Sequence, residues 1–189
     1  HQTTSYVFKD TEHAAALYNM ELGGNVYTRI SNPTVAVLEQ RIAALEGGVA
    51  ATATASGMAA LVVAIMTICS QGDHIVASSR MYGANINLLE NTLPRFGITT
   101  SFVDPTNVAA IEAAIQPNTK IVFGEVIGNP GLDIMDVEAV AKVTAKSGVP
   151  LMLDCTFNTP WLLKPFTLGA NIIIHLSLIH ISEPTRLCR

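Results

Sequence analysis

Two short runs, Ile121-Val122-Phe123 and Leu151-Met152-Leu153, constrain the fold most tightly, because each is apolar at every position. A strand with one wet face alternates apolar and polar side chains, whereas a strand covered on both faces does not. Such runs recur, separated by segments of helical length. The order reads helix 57–70, strand 74–79, helix 85–96, strand 99–104, helix 108–115, strand 120–126, helix 136–147, strand 150–155 and strand 170–175. Strand–helix alternation of this kind predicts a three-layer α/β domain, with helices on both faces of a mostly parallel sheet.

The first part of the chain is different. Residues 1–31 are polar and weakly periodic, with a short helix expected across 11–22. Asn32-Pro33-Thr34 then offers an N-cap and a proline suited to the first helical position, and Gly47-Gly48 ends the helix that follows. The expected division is an arm with its first helix (1–48), the larger domain (49–175) and a tail (176–189) that lacks any helical or strand period. The tail's letters from Ser177 to Leu187 read as the translation of a common sequencing adapter, and the tail is expected to be non-native. The chain opens at His1, so its natural start is expected to lie upstream.

Bulk properties narrow the function. Hydrophobic residues make up 49% of the chain and charged ones 14%, enough for a large core and against disorder. The longest apolar run, from Met58 to Cys69 and interrupted only by Thr67, falls well short of a membrane span. A net charge of −4 with scattered basic residues argues against a general nucleic-acid binder. Cys69, Cys155 and Cys188 have no CxxC spacing, so no metal site is expected. With no basic leader in view, they read as reduced thiols of a cytoplasmic protein.

An α/β domain binds ligands where loops leave the carboxyl ends of its strands. Ala55-Ser56-Gly57-Met58 opens a helix with small residues, so backbone N–H groups and the positive helix end could receive a phosphate, although an ordinary capped helix explains the stretch equally well. Tyr27-Thr28-Arg29 is expected to set a phenol and a guanidinium on one side of an extended segment, suited to phosphate or to a surface ion pair. Asp154, at the end of an apolar strand and followed by Cys155 and Thr156, needs a cationic partner or caps the turn after it. A protonated pyridine nitrogen would be such a partner. Tyr82-Gly83 could lay a ring on an aromatic ligand, and Glu125 with Asn129-Pro130 stands at another strand end.

Taken in this order, the stretches resemble the Cys/Met-metabolism family of pyridoxal-phosphate (PLP) enzymes, over about residues 1–175. His1-Gln2-Thr3-Thr4-Ser5-Tyr6, Tyr27-Thr28-Arg29-Ile30-Ser31-Asn32-Pro33-Thr34 and Gly128-Asn129-Pro130-Gly131-Leu132-Asp133 look most like its O-acetylhomoserine sulfhydrylase branch. The resemblance implies an aspartate-aminotransferase-like fold (fold type I), PLP as cofactor, and an amino-acid substrate with sulfide or a thiol as co-substrate. It implies γ-replacement on O-acetylhomoserine in methionine biosynthesis. Cystathionine γ-synthase and methionine or cystathionine γ-lyase are sibling alternatives. It also implies a homodimer that shares cofactor sites and pairs into a tetramer. Tyr27 and Arg29 would reach the neighbouring subunit's cofactor phosphate, while Ser56, Gly57 and Met58 would cradle their own. Tyr82 would stack on the ring and act as an acid or base, and Asp154 would pair with the ring nitrogen. Thr156 would support the ring, with Glu125 and Asn129 nearby.

One departure stands out. The family's next strand runs into His-Ser-x-Thr-Lys, whose lysine forms the Schiff base. Here His175 is followed by Leu176, Leu178 and Ile179 where Ser, Thr and Lys are expected, and no lysine follows Lys164. The chain as written is therefore expected to be inactive.

Overall fold

The computed structural model describes residues 1–178 and divides into two compact units, His1–Ala53 and the residues from Thr54 onward. The tail beyond 178, including Ile179 and Cys188, lies outside the described residues.

In the first unit, helix α1 (Thr11–Tyr18) starts where Asp10 accepts the His13 N–H at 2.7 Å. It stops four residues earlier than its expected end at 22, because Met20 adopts a left-handed backbone (φ 58). Helix α2 (Pro33–Glu46) has the expected signals: Asn32 Oδ1 accepts the Thr34 N–H at 2.9 Å, Pro33 sits in the first turn, and Gly47 caps the end at φ 76. The Asn32 amide donates to the His1 carbonyl (3.2 Å) and to Thr28 Oγ1 (3.1 Å), tying the cap to the chain's first residues. Residues 28–30 are not extended as expected. They form a turn closed by Ile30 N–H to Tyr27 O at 2.8 Å, after a single antiparallel bridge between Ser5 and Tyr27.

The second unit carries the sheet. In chain order its elements are α3 (Gly57–Ile68), β1 (His74–Ser78), α4 (Gly83–Asn87), β2 (Thr99–Val103), α5 (Val108–Ala114) and β3 (Thr119–Glu125). Then follow α6 (Val137–Ser147), β4 (Leu151–Asp154), the single turn α7 (Thr159–Leu162) and β5 (Ile172–Ile174). The five strands are all parallel, in the order β2-β1-β3-β4-β5. The segment expected as one helix over 85–96 instead runs from α4 through a π turn (Leu88–Thr92) into a 3-10 turn (Leu93–Phe96). Pro94 has no N–H to continue the α ladder, and Gly97 closes the segment at φ 75. Two short elements, α7 and the 3-10 turn Pro165–Leu168, are too brief to carry a period that sequence reading could find.

The fully apolar runs are explained by two cores, one on each sheet face. Ile121, Phe123 and Met152 join Leu61 and Ile65 of α3 and Leu89 on one side. Val122, Leu151 and Leu153 join Ile111 of α5 and Val140 of α6 on the other. At the amino ends of the strands, buried His74 places its ring nitrogens 2.8 Å from Thr119 Oγ1 and 2.9 Å from Ser101 Oγ, lacing β1 to both neighbours. Burial holds its pKa below the usual histidine value. Cys69 and Cys155 are both buried, Cys155 Sγ lying 3.7 Å from Leu153 O, and burial, reinforced by Asp73, pushes Cys69 up to about 11. Among the described residues no helix is long and apolar enough to cross a membrane, and no His/Cys/Asp/Glu group could hold a metal.

Candidate functional site

With every strand parallel, all carboxyl ends lie on one side, and the chain reverses its direction of travel across the sheet between β1 and β3. Open α/β sheets bind ligands at that reversal. The loops leaving β1, β3, β4 and β5 there enclose a cavity of about 240 Å³ lined by Tyr82, Glu125, Asn129, Asp154, Thr156 and Leu176, among others. Five of the residues singled out from sequence therefore share one cavity.

Glu125 organises its rim. Oε1 accepts the Tyr82 backbone N–H at 2.8 Å and the Asn85 amide at 3.1 Å, and Oε2 accepts the Asn129 N–H at 3.2 Å. One buried carboxylate thus fixes the Tyr82 loop, the start of α4 and the loop after β3. Burial pushes its pKa up; the Tyr82 N–H opposes this, and the charge of Asp154 adds to it. Further out, the Arg80 guanidinium bridges Asp104 (2.9 Å) and Asp133 (2.5 Å), joining the loops after β1, β2 and β3 in solvent, where such pairs contribute little.

Asp154 is paired in register with Glu125 across β3–β4 and with Ile174 across β4–β5. Its Oδ1 accepts both the backbone N–H of Thr156 (2.9 Å) and its hydroxyl (2.6 Å), so it does cap the turn after the strand as well as line the cavity. Desolvation raises its pKa above the ordinary aspartate value, against the Thr156 hydrogen bonds and the nearby His175 charge. An acid with a raised folded pKa stabilises the fold most below its unfolded value of 3.8, and that contribution is lost as pH climbs through the folded value. Asp154→Asn keeps an oxygen for Thr156 and removes the desolvated charge. We therefore expect the variant to melt higher than the parent at pH 7, with the gap closing near pH 3.5 or below; thermal melts followed by circular dichroism at the two pH values check this.

At the start of α3, Ser56 Oγ accepts the Ala59 N–H at 3.1 Å. The Leu176 side chain lies directly on Gly57: a Cβ placed there would sit 2.0 Å from Leu176 Cγ. The Leu176 N–H donates to Thr156 Oγ1 at 2.9 Å, extending the chain of hydrogen bonds that begins at Asp154. Tyr27 and Arg29 belong to the first unit, where Arg29 Cζ stands 5.8 Å from the Tyr27 ring centroid, so the two side chains do share a side. Sequence reading missed Ile127, Phe157 and Asn85, and treated Leu176 and Leu178 only as mismatches. Phe157 and Ile127 were findable, since each lies within a few residues of a strand's carboxyl end.

A parallel sheet covered on both faces, with a cavity at its carboxyl ends lined by an acid that ends β4 and a tyrosine that follows β1, defines an α/β domain of the ligand-binding class. The chain belongs to the Cys/Met metabolism PLP-dependent enzyme family, whose model matches residues 1–182. It is 50% identical over 175 residues to the O-acetyl-L-homoserine sulfhydrylase of Leptospira meyeri, covering 93% of this chain and 40% of that protein. It is 44% identical over 184 residues to the O-succinylhomoserine sulfhydrylase of Pseudomonas aeruginosa, covering 97% of this chain and 46% of that one. A solved Campylobacter jejuni structure, described as an O-acetylhomoserine (thiol)-lyase with a pyridoxyl phosphate on a lysine, superposes at a TM-score of 0.90 with 39% identity, covering 93% of this chain and 43% of that one. The chain thus spans less than half the length of these relatives, and its fold is that of the PLP-dependent Cys/Met enzymes.

The residues fit such a cofactor only in part. Asp154 in a desolvated cavity suits a protonated ring nitrogen, and Tyr82 supplies an aromatic face. The phosphate end does not fit, because Leu176 fills the space over Gly57 and, among the described residues, no Lys or Arg lines the cavity.

Proposed function

We propose that the protein from which this chain derives performs γ-replacement on O-acetylhomoserine, exchanging the acetate for sulfide or a small thiol in methionine biosynthesis. In this reading Asp154 holds the ring-nitrogen end of PLP, Thr156 and Glu125 brace it, and Asn129 stands at the rim. Tyr82 covers the ring and moves a proton, and Ser56, Gly57 and Met58 would take the phosphate in a chain with Ser in place of Leu176. Tyr27 and Arg29 serve the neighbouring subunit's site in a cofactor-sharing dimer that pairs into a tetramer. The observation that carries the reading is the placement of Asp154 at the end of β4, inside the cavity and beside Glu125 in register. The test is the longer enzyme, with Ser-x-Thr-Lys after His175, assayed for homocysteine from O-acetylhomoserine and sulfide. Turnover of cystathionine or methionine with none of O-acetylhomoserine would replace the reading by the γ-synthase or γ-lyase alternative. The succinyl ester belongs in the same assay, because the Pseudomonas relative is named for it.

For the 189-residue chain itself we propose no turnover, with its sequence reading Ile179 where the lysine is expected. Incubation with PLP followed by borohydride is expected to label surface lysines sparsely. A stoichiometric adduct on one lysine, read by peptide mass mapping, would refute this.

A further inference from the structure

We propose that the cavity of this chain selects protonated pyridine rings that carry no phosphate, and that Leu176 sets this preference. The inference rests on the reading of Asp154 as the partner of a ring nitrogen and goes beyond it to the other end of the ligand.

Three independent features meet in it. The first is charge: Glu125 and Asp154 both line the cavity, and among the described residues no lysine or arginine does. Desolvation opposes ionisation of both carboxyls and the charge of Asp154 adds to this at Glu125, so a ring N–H cation entering beside Tyr82 and Phe157 offsets that cost, whereas a phosphate dianion adds to it. The second is shape. Leu176 Cγ and both its δ-carbons lie within 2.6 Å of a Cβ built on Gly57, so its isobutyl group covers the opening turn of α3 in van der Waals contact. Helix N-termini bind phosphate through exposed backbone N–H groups. Here hydrocarbon covers that turn, and Ser56 Oγ already engages the Ala59 N–H. The third is rigidity. The Leu176 backbone is anchored through Thr156 Oγ1 to Asp154, the group expected to hold the ring. Its side chain packs against the core cluster of α3 and the sheet. An anion cannot move Leu176 aside without disturbing the ring's own support.

Pyridoxamine and its 5′-phosphate are suitable probes, because neither has an aldehyde to react with surface lysines and both fluoresce. In equilibrium titrations of the 189-residue chain, pyridoxamine is expected to bind at least about tenfold more tightly than the phosphate ester. Leu176→Ser and Leu176→Ala, each checked for folding by circular dichroism, leave both carboxylates in place and should shrink the ratio by about tenfold. Asp154→Asn should weaken both ligands in the parent chain. Equal or tighter binding of the ester by the parent, or an unchanged ratio in both Leu176 variants, overturns the role of Leu176 while leaving Asp154 as the ring partner. Failure of pyridoxamine to bind, or indifference to Asp154→Asn, overturns that underlying reading as well.

Discussion

Replacing Glu125 with alanine is expected to destabilise the sheet unit by about 3–5 kcal/mol and to loosen three segments together. The carboxylate receives the N–H of Tyr82, the amide of Asn85 and the N–H of Asn129, and the residue is only 7% exposed. Each donor left buried without an acceptor costs about 1–3 kcal/mol. Removing a desolvated charge offsets part of the loss, which is why the estimate stays below the sum of three such penalties. Glu125→Gln keeps one acceptor oxygen but turns an N–H₂ toward a donor, and should lose about 1–3 kcal/mol. Urea denaturation gives the totals. Amide exchange supplies the sharper check, since Tyr82 and Asn129 should lose protection together. A change under about 1 kcal/mol for the alanine variant would mean that the three donors find other acceptors.

Phe123→Ala should cost a similar amount, about 3–5 kcal/mol, by a different mechanism. Phe123 lies on β3 with β1 and β4 on either side, in register with Ala77 and Met152, and is 1% exposed. Truncation removes its transfer free energy and leaves a cavity that a parallel sheet, hydrogen-bonded on both sides, cannot collapse. Val63→Ala, on a 52% exposed position of α3, is the control and should stay within about 0.5 kcal/mol. Unlike the Glu125 variants, Phe123→Ala should lower protection across all the central strands while sparing the rim loops selectively. A loss confined to the rim would contradict this account.

Much of this was legible in the chain. Runs apolar at every position could only be strands covered on both faces, and the structure alternates them between two cores as that argument requires. Asn32, Pro33 and Gly47 announced the helix they bound, because capping chemistry is local. Misreadings arose where a local pattern met a constraint it did not encode. The period over 85–96 suits one helix, yet Pro94 cannot donate to an α ladder, and the segment slackens into π and 3-10 turns. Tyr27 and Arg29 do lie on one side, through a turn rather than an extended segment.

The sequence by itself determined the class of layer architecture, the capped helices and the family, because periodicity, caps and motif order are properties of neighbours along the chain. Tertiary structure alone decided which side chains meet at the carboxyl edge of the sheet and what holds them there. Glu125 looked like a ligand contact, and its role as the clasp of two loops and the start of α4 depends on partners some forty residues away in Tyr82 and Asn85. Leu176 read as a mismatch in a motif, and only the docking of β5 beside β4 lays its side chain on Gly57 at the other end of the domain's sequence. Parallel pairing gathers the carboxyl ends of distant strands at one edge, and the chemistry of that edge is set by residues that the sequence keeps far apart.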